Sequence, residues 1–385
     1  MPQPVPKRIK QNNPNAGVKV FNTLLIDGSN ILELSSLGDN TMSSSGKNIG
    51  GIFQFLLQVK LMMQKGNFRY VYVFWDGDRS GQLRANELPT YKANRDKVFD
   101  DAGLSDYMKE VNEKIRRMQD RFFKNKNPEK QQQKQAHKDL FFWQREIVMA
   151  CLEELFVRQC VCDETEADDF IGYYVTHKKP NERIVIMSND RDLTQLIAND
   201  VAVYVQSLKT FVTPKNHLEL MGFDHHNVLL KKMICGDTSD NIKGIKGVGD
   251  TTLLNNFPEL KKRKVELEEI VEGARRINEE RTKEKKKPLK WAENIVERIT
   301  DGIQGEKIYE INRKIIDLSN PLMTEDAKEL IASMMYTPLD PEDRSMRNLY
   351  DILMSADMDM FREPSHFANF FSSFDTLINQ EKKNL

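Results

Sequence analysis

The sequence predicts an α/β protein: a mostly parallel central sheet flanked by helices, followed by a helical second part. Three observations predict it. First, Val20–Ile26, Tyr70–Trp75 and Arg183–Ser188 are short runs with apolar middles, the kind carried by strands buried in a parallel sheet. Second, segments with helical spacing stand between them. Third, each run ends in acid: Asp27, then Asp76 with Asp78, then Asp190 with Asp192. The carboxyl edge of an open α/β sheet is where ligands bind.

Length and composition leave room for this. A chain of 385 residues can bury a sizeable core in one large domain or two smaller ones. Hydrophobic content of 39% and charged content of 30% describe a soluble, charge-rich globule. No apolar run approaches the ~20 residues that span a bilayer. The polar start, residues 1–19 with three early prolines, reads as a flexible lead without the apolar core of a signal peptide. Cys151, Cys160, Cys162 and Cys235 lack paired metal-binding spacing, so buried thiols in a reducing cytosol are expected and zinc is not. The net charge of −1 does not advertise nucleic-acid binding, but a global sum can hide a basic surface opposite an acidic site.

In chain order, the first strand ends at Asp27-Gly28-Ser29-Asn30, and a helix opens at Ile31 and Leu32. Residues 38–50 are Gly/Ser/Asn-rich, hence a loop. Residues 51–65 are helical through Ile52, Phe55, Leu56, Val59 and Met63. After the second strand, Arg84, Lys92 and Arg95 follow close behind Asp76. Cations beside clustered acids suit an anionic substrate, although solvated surface charge reads as well for these residues taken alone. Residues 97–140 are helical in spacing and strongly basic, with Arg116, Arg117 and Arg121 beside a narrow apolar stripe. They predict either a solvated helical pair or a basic arch over a nucleic acid strand. Phe141–Leu155 returns to a core helix.

Residues 164–192 hold the densest acids. Glu164, Glu166, Asp168 and Asp169 stand at a helix start, and Asp190 and Asp192 stand past the third strand. Like charges so close repel unless protons or cations compensate them. Oxygen-only clusters suit hard cations such as magnesium or manganese. A divalent-metal site and a solvated acidic loop are equal readings of this stretch alone. Residues 201–205 and 210–212 add two short strands. Near the helix through Val228 and Ile234, Asp237 and Asp240 extend the acid set. Gly244-Ile245-Lys246-Gly247-Val248-Gly249 follows as a tight turn between helices, able to present backbone N–H groups to a phosphate. From residue 260 the chain is charged and helical, with basic knots at 261–264 and 285–287. The tail's Phe367, Phe370, Phe371 and Phe374 read as core packing.

Six ordered motifs, LLIDGSN, VFWDGDRSG, LPTYKANRD, ETEADD, SNDRDL and GDTSDNIKGIKGVG, cover residues 20–257 and resemble the flap endonuclease/5′-nuclease family. The chain is most similar to its T-even phage ribonuclease H branch. The resemblance implies a PIN-like fold: a catalytic domain at 20–222 with an arch at about 97–140, and a helical domain at 223–385 carrying a helix–turn–helix duplex-binding motif. It implies one metal position held by Asp27, Asp76, Glu166 and Asp168, and a second near Asp169, Asp190, Asp192, Asp237 and Asp240. Glu164 lies outside the matched pattern. Lys92 and Arg95 match the family's basic pair and Tyr91 the aromatic before it. The implied catalytic set is thus Lys92, Arg95, Asp27, Asp76, Asp168 and Asp190. Nucleic acid is expected at Arg84, Tyr91, Lys92, Arg95, Arg116, Arg117 and Arg121, and at Gly244, Lys246, Gly247 and Gly249. The segment 260–300 has no counterpart in the pattern.

The implied activity is magnesium- or manganese-dependent hydrolysis of phosphodiesters at 5′ ends, flaps and RNA primers on duplex DNA, by two ions, with potassium at the glycine turn. A monomer acting on DNA and RNA–DNA hybrid, beside a single-strand-binding protein and a sliding clamp, is expected. Its place would be the cytoplasm, that of a bacterial host if the gene is a phage's, and not a membrane. The alternatives are a non-catalytic binder of branched DNA, which would need none of these acids, and a PIN-type ribonuclease, which would need neither the arch nor the glycine turn.

Overall fold

The computed structural model of the chain describes residues 21–93, 128–297, 308–342 and 344–382. The expected lead and the arch up to residue 127 lie outside the described residues, as do Arg95, Arg116, Arg117 and Arg121. The first part runs β1 (Thr23–Asp27), α1 (Gly28–Gly38), α2 (Gly50–Met63), β2 (Tyr70–Trp75), α3 (Gln82–Glu87), α4 (Pro128–Glu154), β3 (Arg158–Val161), α5 (Ala167–His177), β4 (Ile184–Ser188), β5 (Val201–Val205), β6 (Thr210–Val212) and α6 (His217–Met221). The second runs α7 (Val228–Cys235), β7 (Gly236–Asp237), β8 (Ile242–Lys243), α8 (Asp250–Asn256), α9 (Leu267–Lys283), α10 (Lys290–Glu297) and α11 (Ile308–Ile316). Then come α12 (Glu325–Met334), α13 (Met346–Ser355), α14 (Pro364–Phe371) and α15 (Asp375–Glu381).

The sheet order is β3-β2-β1-β4-β5-β6, with β6 antiparallel to β5 and the other pairs parallel. Side chains alternate across it, as the period of two requires. Leu24, Ile26, Val71, Val73, Trp75, Val185 and Met187 enter one core. Leu25, Tyr72, Phe74, Ile184 and Ile186 enter the other. Helices cover both faces, and this is why the strands read as unbroken apolar runs. The chain steps outward from β1 to β2 and β3, then returns to β4 and β5. The direction of winding therefore reverses between β1 and β4, where a crevice opens at the carboxyl edge.

One strand goes unforeseen and one expectation changes. β3 is a strand that its sequence, RQCV, does not advertise. The helical part expected over 223–385 does not stand apart as a whole. Leu318, Met323, Ala327 and Ile331 complete one sheet-facing core, and Leu349, Leu353, Phe370, Phe371 and Phe374 complete the other. The core separate from the sheet is built from α7 to α11, through Leu253, Phe257, Ile270, Ala274, Ala292 and Ile295. The phenylalanine tail is core, as its spacing predicts. No helix among the described residues is long and apolar enough to cross a membrane.

Candidate metal centre

Each strand on the crevice delivers one acid, and each acid is fixed by a backbone N–H in the first turn of a helix. Asp27 ends β1 and caps α1: Asn30 N–H donates to its Oδ1 (3.1 Å) and Ser188 Oγ to its Oδ2 (2.9 Å). No spacer separates strand from helix, because Gly28 packs against β2, where a Cβ would come within 2.6 Å of Val73 Cγ1. Asp76, just past β2, accepts from the N–H of Ala167 at the start of α5 (2.9 Å). Asp190, past β4, accepts from Asp192 N–H (2.8 Å). Glu166 caps α5, and Asp168 sits in its first turn, where the helix dipole favours negative charge. Asp27, Asp76, Glu166, Asp168, Asp190 and Lys92 line one cavity of about 380 Å³.

Asp27, Asp168 and Asp190 are short of positive charge. Burial pushes the Asp27 carboxyl well above its ordinary range, and Asp76 pushes it further. Burial also raises Asp168, against the pull of Arg84 and with the repulsion of Glu166. Asp190 is pushed up to about 7 by burial and then by Asp192. Asp168 Oδ1 is buried and accepts no hydrogen bond among the described residues. Arg84 Nη2 stands 3.5 Å from it, too far for a bond. Carboxylate oxygens of Glu166, Asp168 and Asp169 lie within 4.8 Å of one another. An all-oxygen donor set with a buried oxygen left over fits hard divalent cations.

Lys92 lies at the cavity wall in a left-handed backbone conformation (φ 49°), tied by its N–H to Asp240 O (2.8 Å). Its Nζ donates to Glu166 Oε1 (2.5 Å). Burial disfavours its charge, yet Glu166 holds its pKa well above the ordinary value, so the ammonium persists.

Three expectations are corrected. Arg84 does not reach outward to nucleic acid. It is buried, and its guanidinium donates to Glu166 Oε2 (2.5 Å), to both oxygens of Asp169 (2.6 and 2.8 Å) and to Ile315 O (2.8 Å). Asp169 spends both oxygens on Arg84 and does not line the cavity, so it anchors that guanidinium where a metal ligand was expected, whereas Glu166, though also engaged, lines the cavity. Tyr91 is also buried, with its hydroxyl donating to Glu166 Oε2 (2.7 Å). Together Arg84, Tyr91 and Lys92 grip Glu166 from three sides.

Asp192, Asp237 and Asp240 form a second, adjoining acid group. Lys232 of α7, which the sequence did not single out, bridges it. Its Nζ donates to Asp192 and to Asp237 Oδ2 (2.6 Å). Burial works against ionised Asp237, but Lys232 prevails and pulls it down to about 2. Asp240 and Lys232 line a small recess with Asp168 and Asp192. Arg145 of α4, also unflagged by sequence, donates to Asp76 O (3.2 Å). Glu164 lies apart, paired with Arg79 (3.1 Å).

The glycine turn departs from a plain helix–turn–helix. β7 and β8 form a short antiparallel ladder between α7 and the turn. A cavity of about 620 Å³ is lined by Thr238, Asn241, Lys243, Gly244, Lys246 and Gly247, among others. Gly247 has φ 82°, a conformation that glycine adopts without strain. Asn294 Nδ2 fixes the turn by donating to Lys246 O (2.7 Å).

A family model described as 5′-3′ exonuclease, N-terminal resolvase-like domain, matches residues 22–222. The 5′-3′ exonuclease of Mycoplasmopsis pulmonis is 38% identical over 101 residues, 25% of this chain and 34% of that protein. The chain thus matches about a third of the length of that relative. The 5′-3′ exonuclease of Buchnera aphidicola subsp. Acyrthosiphon pisum is 22% identical over 323 residues, 82% of this chain and 91% of that protein. Among solved structures, the flap endonuclease of bacteriophage T5, in a pseudo-enzyme–product complex with DNA and metal ions, is similar with a TM-score of 0.54. It is 15% identical, over 93% of this chain and 99% of that one, a likeness of fold.

Proposed function

The chain belongs to the 5′-3′ exonuclease family, and from that premise we propose that it is a divalent-metal-dependent 5′-nuclease. It hydrolyses phosphodiesters at 5′ ends, 5′ flaps and RNA primers on duplex DNA. The observation that carries this reading is the convergence of Asp27, Asp76, Glu166, Asp168 and Asp190, with Lys92, on one cavity at the sheet's switch point.

Asp27, Asp76, Glu166 and Asp168 are the candidate ligands of one cation, and Asp190, Asp192, Asp237 and Asp240 those of a second. Two magnesium ions, or manganese in their place, supply when bound an activated water near neutral pH and neutralisation of the departing oxygen. Lys92 places its ammonium beside the cavity, where it meets charge that grows on the phosphoryl oxygens in the transition state. Arg95, three residues on, adds a second cation. Arg84 and Asp169 hold Glu166 and the first turn of α5 in position.

Arg116, Arg117 and Arg121 are the candidate contacts for the phosphates of a 5′ single strand. Backbone N–H groups of Gly244, Lys246, Gly247 and Gly249 hold the duplex backbone, with potassium in the turn. The DNA and metal ions in the T5 complex support a DNA substrate and a metal centre by analogy of fold. The protein acts as a monomer in the cytoplasm, a bacterial host's if the source is a phage. Its substrates include RNA–DNA hybrid, and its partners are a single-strand-binding protein and a sliding clamp.

The test uses 5′-labelled flap, nicked duplex and RNA–DNA hybrid with magnesium or EDTA, on wild type and Asp190→Asn. Wild type should release 5′-phosphate products only with magnesium. The variant should lose about three orders of magnitude in rate, roughly 4 kcal/mol of barrier, while still binding. No magnesium-dependent cleavage by wild type would sink the reading.

A further inference from the structure

The segment after residue 260 has a definite shape. α9 and α10 form an antiparallel hairpin that packs on α8 through Ile270, Ala274, Ala292 and Ile295. Its base is fastened to the glycine turn. Asn294 holds Lys246 O, and Trp291 lies against Gly247, where an added Cβ would meet the Trp291 side chain at 3.5 Å. Its tip is built as well. Asn278 grips Leu289 by both backbone groups (2.7 and 3.2 Å), and Arg281 Nε donates to Lys287 O (2.9 Å). Lys286 N–H closes back on Arg281 O (2.8 Å), with Lys285 in a left-handed conformation (φ 58°).

That ordered tip is strongly basic. Residues 281–290 hold six cations and one anion, in a chain whose net charge is −1. Lys283, Lys285, Lys286, Lys287 and Lys290 are exposed. Lys286 pairs with Glu284 and Lys290 with Glu293, but Lys283, Lys285 and Lys287 have no ion pair among the described residues. In the other basic knot Arg263 and Lys264 are drawn onto Glu269 and Glu266 while Lys261 and Lys262 are exposed, but that knot lacks the tip's link to the glycine turn through Asn294 and Trp291. A rigid positive knob with lysines left unpaired is poised for an extended polyanion, and its base is already fixed to a turn assigned to duplex DNA.

We propose that the α9–α10 tip is a second contact for the backbone of duplex DNA, rigidly coupled to the glycine turn. The proposal rests on the nuclease reading only in taking that turn as a duplex contact. From Asn294 to Lys290 the helix rises ~6 Å, and three further residues reach at most ~11 Å. Lys287 therefore lies within about 17 Å of Asn294, about five base pairs at 3.4 Å each. The tip touches phosphates up to about five base pairs beyond those held by the turn, which a duplex arm ending at the turn does not supply.

The test combines Lys285→Ala, Lys286→Ala and Lys287→Ala. Binding is followed by fluorescence anisotropy in EDTA across a salt series. The probes are flap substrates with a long duplex arm of about 20 base pairs, a short duplex arm cut back to end at the phosphates the glycine turn protects in footprinting and, separately, an acidic polypeptide. On the long arm the slope of log K against log salt should become shallower by about two to three, with affinity down about tenfold at low salt. The short arm should bind the variant as it binds wild type. An unchanged slope on the long arm overturns the proposal, as does equal loss on both arms. Loss confined to the acidic polypeptide overturns it too, since that assigns the tip to a protein partner. Magnesium-dependent cleavage by the same wild-type sample reports on the nuclease reading separately. Binding with this slope pattern but no cleavage would sink that reading and leave the tip assignment standing.

Discussion

The two edges of the central sheet bury acids in opposite ways. At the amino edge, Glu182 stands just before β4. Its Oε1 accepts from Thr23 Oγ1 (2.5 Å) and Tyr174 OH (2.7 Å), and its Oε2 from Lys179 N–H (3.2 Å) and Tyr336 OH. Nearby, Arg158 opens β3 and donates to both oxygens of Glu381 (2.8 and 3.1 Å) and to Thr337 O (2.6 Å). This pair ties the last helix to the sheet. At the carboxyl edge, Asp27, Asp76, Asp168 and Asp190 share a cavity, and Asp168 Oδ1 has no donor among the described residues. Burial of an acid therefore does not mark function by itself. A buried acid in deficit of donors does, because only a proton or a cation makes up the difference.

The largest effect that could break this contrast lies at the amino edge. Glu381→Gln leaves Arg158 buried without a countercharge and should cost about 3–5 kcal/mol, read from the urea midpoint. A loss under about 1 kcal/mol would mean that this edge is not the structural one. The next effect is a pH slope. Asp27 and Asp190 have raised values in the folded state, so the folded protein binds protons more tightly than the unfolded chain. In EDTA, the contribution of these carboxyls to stability should fall as pH rises from about 4, the ordinary carboxylate value, through about 7, against the opposite contribution of His217 and His225, whose values burial lowers. Asp237, held down to about 2, works in the opposite direction but only below about 4. Thermal unfolding across this range checks the sign, and magnesium should flatten the slope.

The same contrast explains what the sequence could reveal. The parallel strands were legible because burial on both faces leaves unbroken apolar runs, and their terminal acids followed from position. β3 was not, because Arg158 on a buried strand is tolerable only through Glu381, 223 residues away. Arg84 and Tyr91 stood at the right spacing behind Asp76, but spacing does not say whether a side chain turns outward or back onto Glu166. Lys232 was missed for the same reason: one lysine in an amphipathic helix looks like any other until Asp192 and Asp237 close on it. Asp169 could not be told from Asp168 without knowing which face of α5 points inward. The 260–297 segment showed its charge but not the contacts of Trp291 and Asn294 with the glycine turn.

The central claim is that the carboxyl edge is held short of charge for cations. Thermal unfolding of wild type, Asp168→Asn and Glu182→Gln, each in EDTA and in magnesium, tests it most directly. Asp168→Asn should be at least as stable as wild type in EDTA and gain much less from magnesium. Glu182→Gln should lose about 1–3 kcal/mol in both and keep the full magnesium shift. If Asp168→Asn instead loses stability in EDTA as Glu182→Gln does and keeps the wild-type magnesium shift, the account is contradicted.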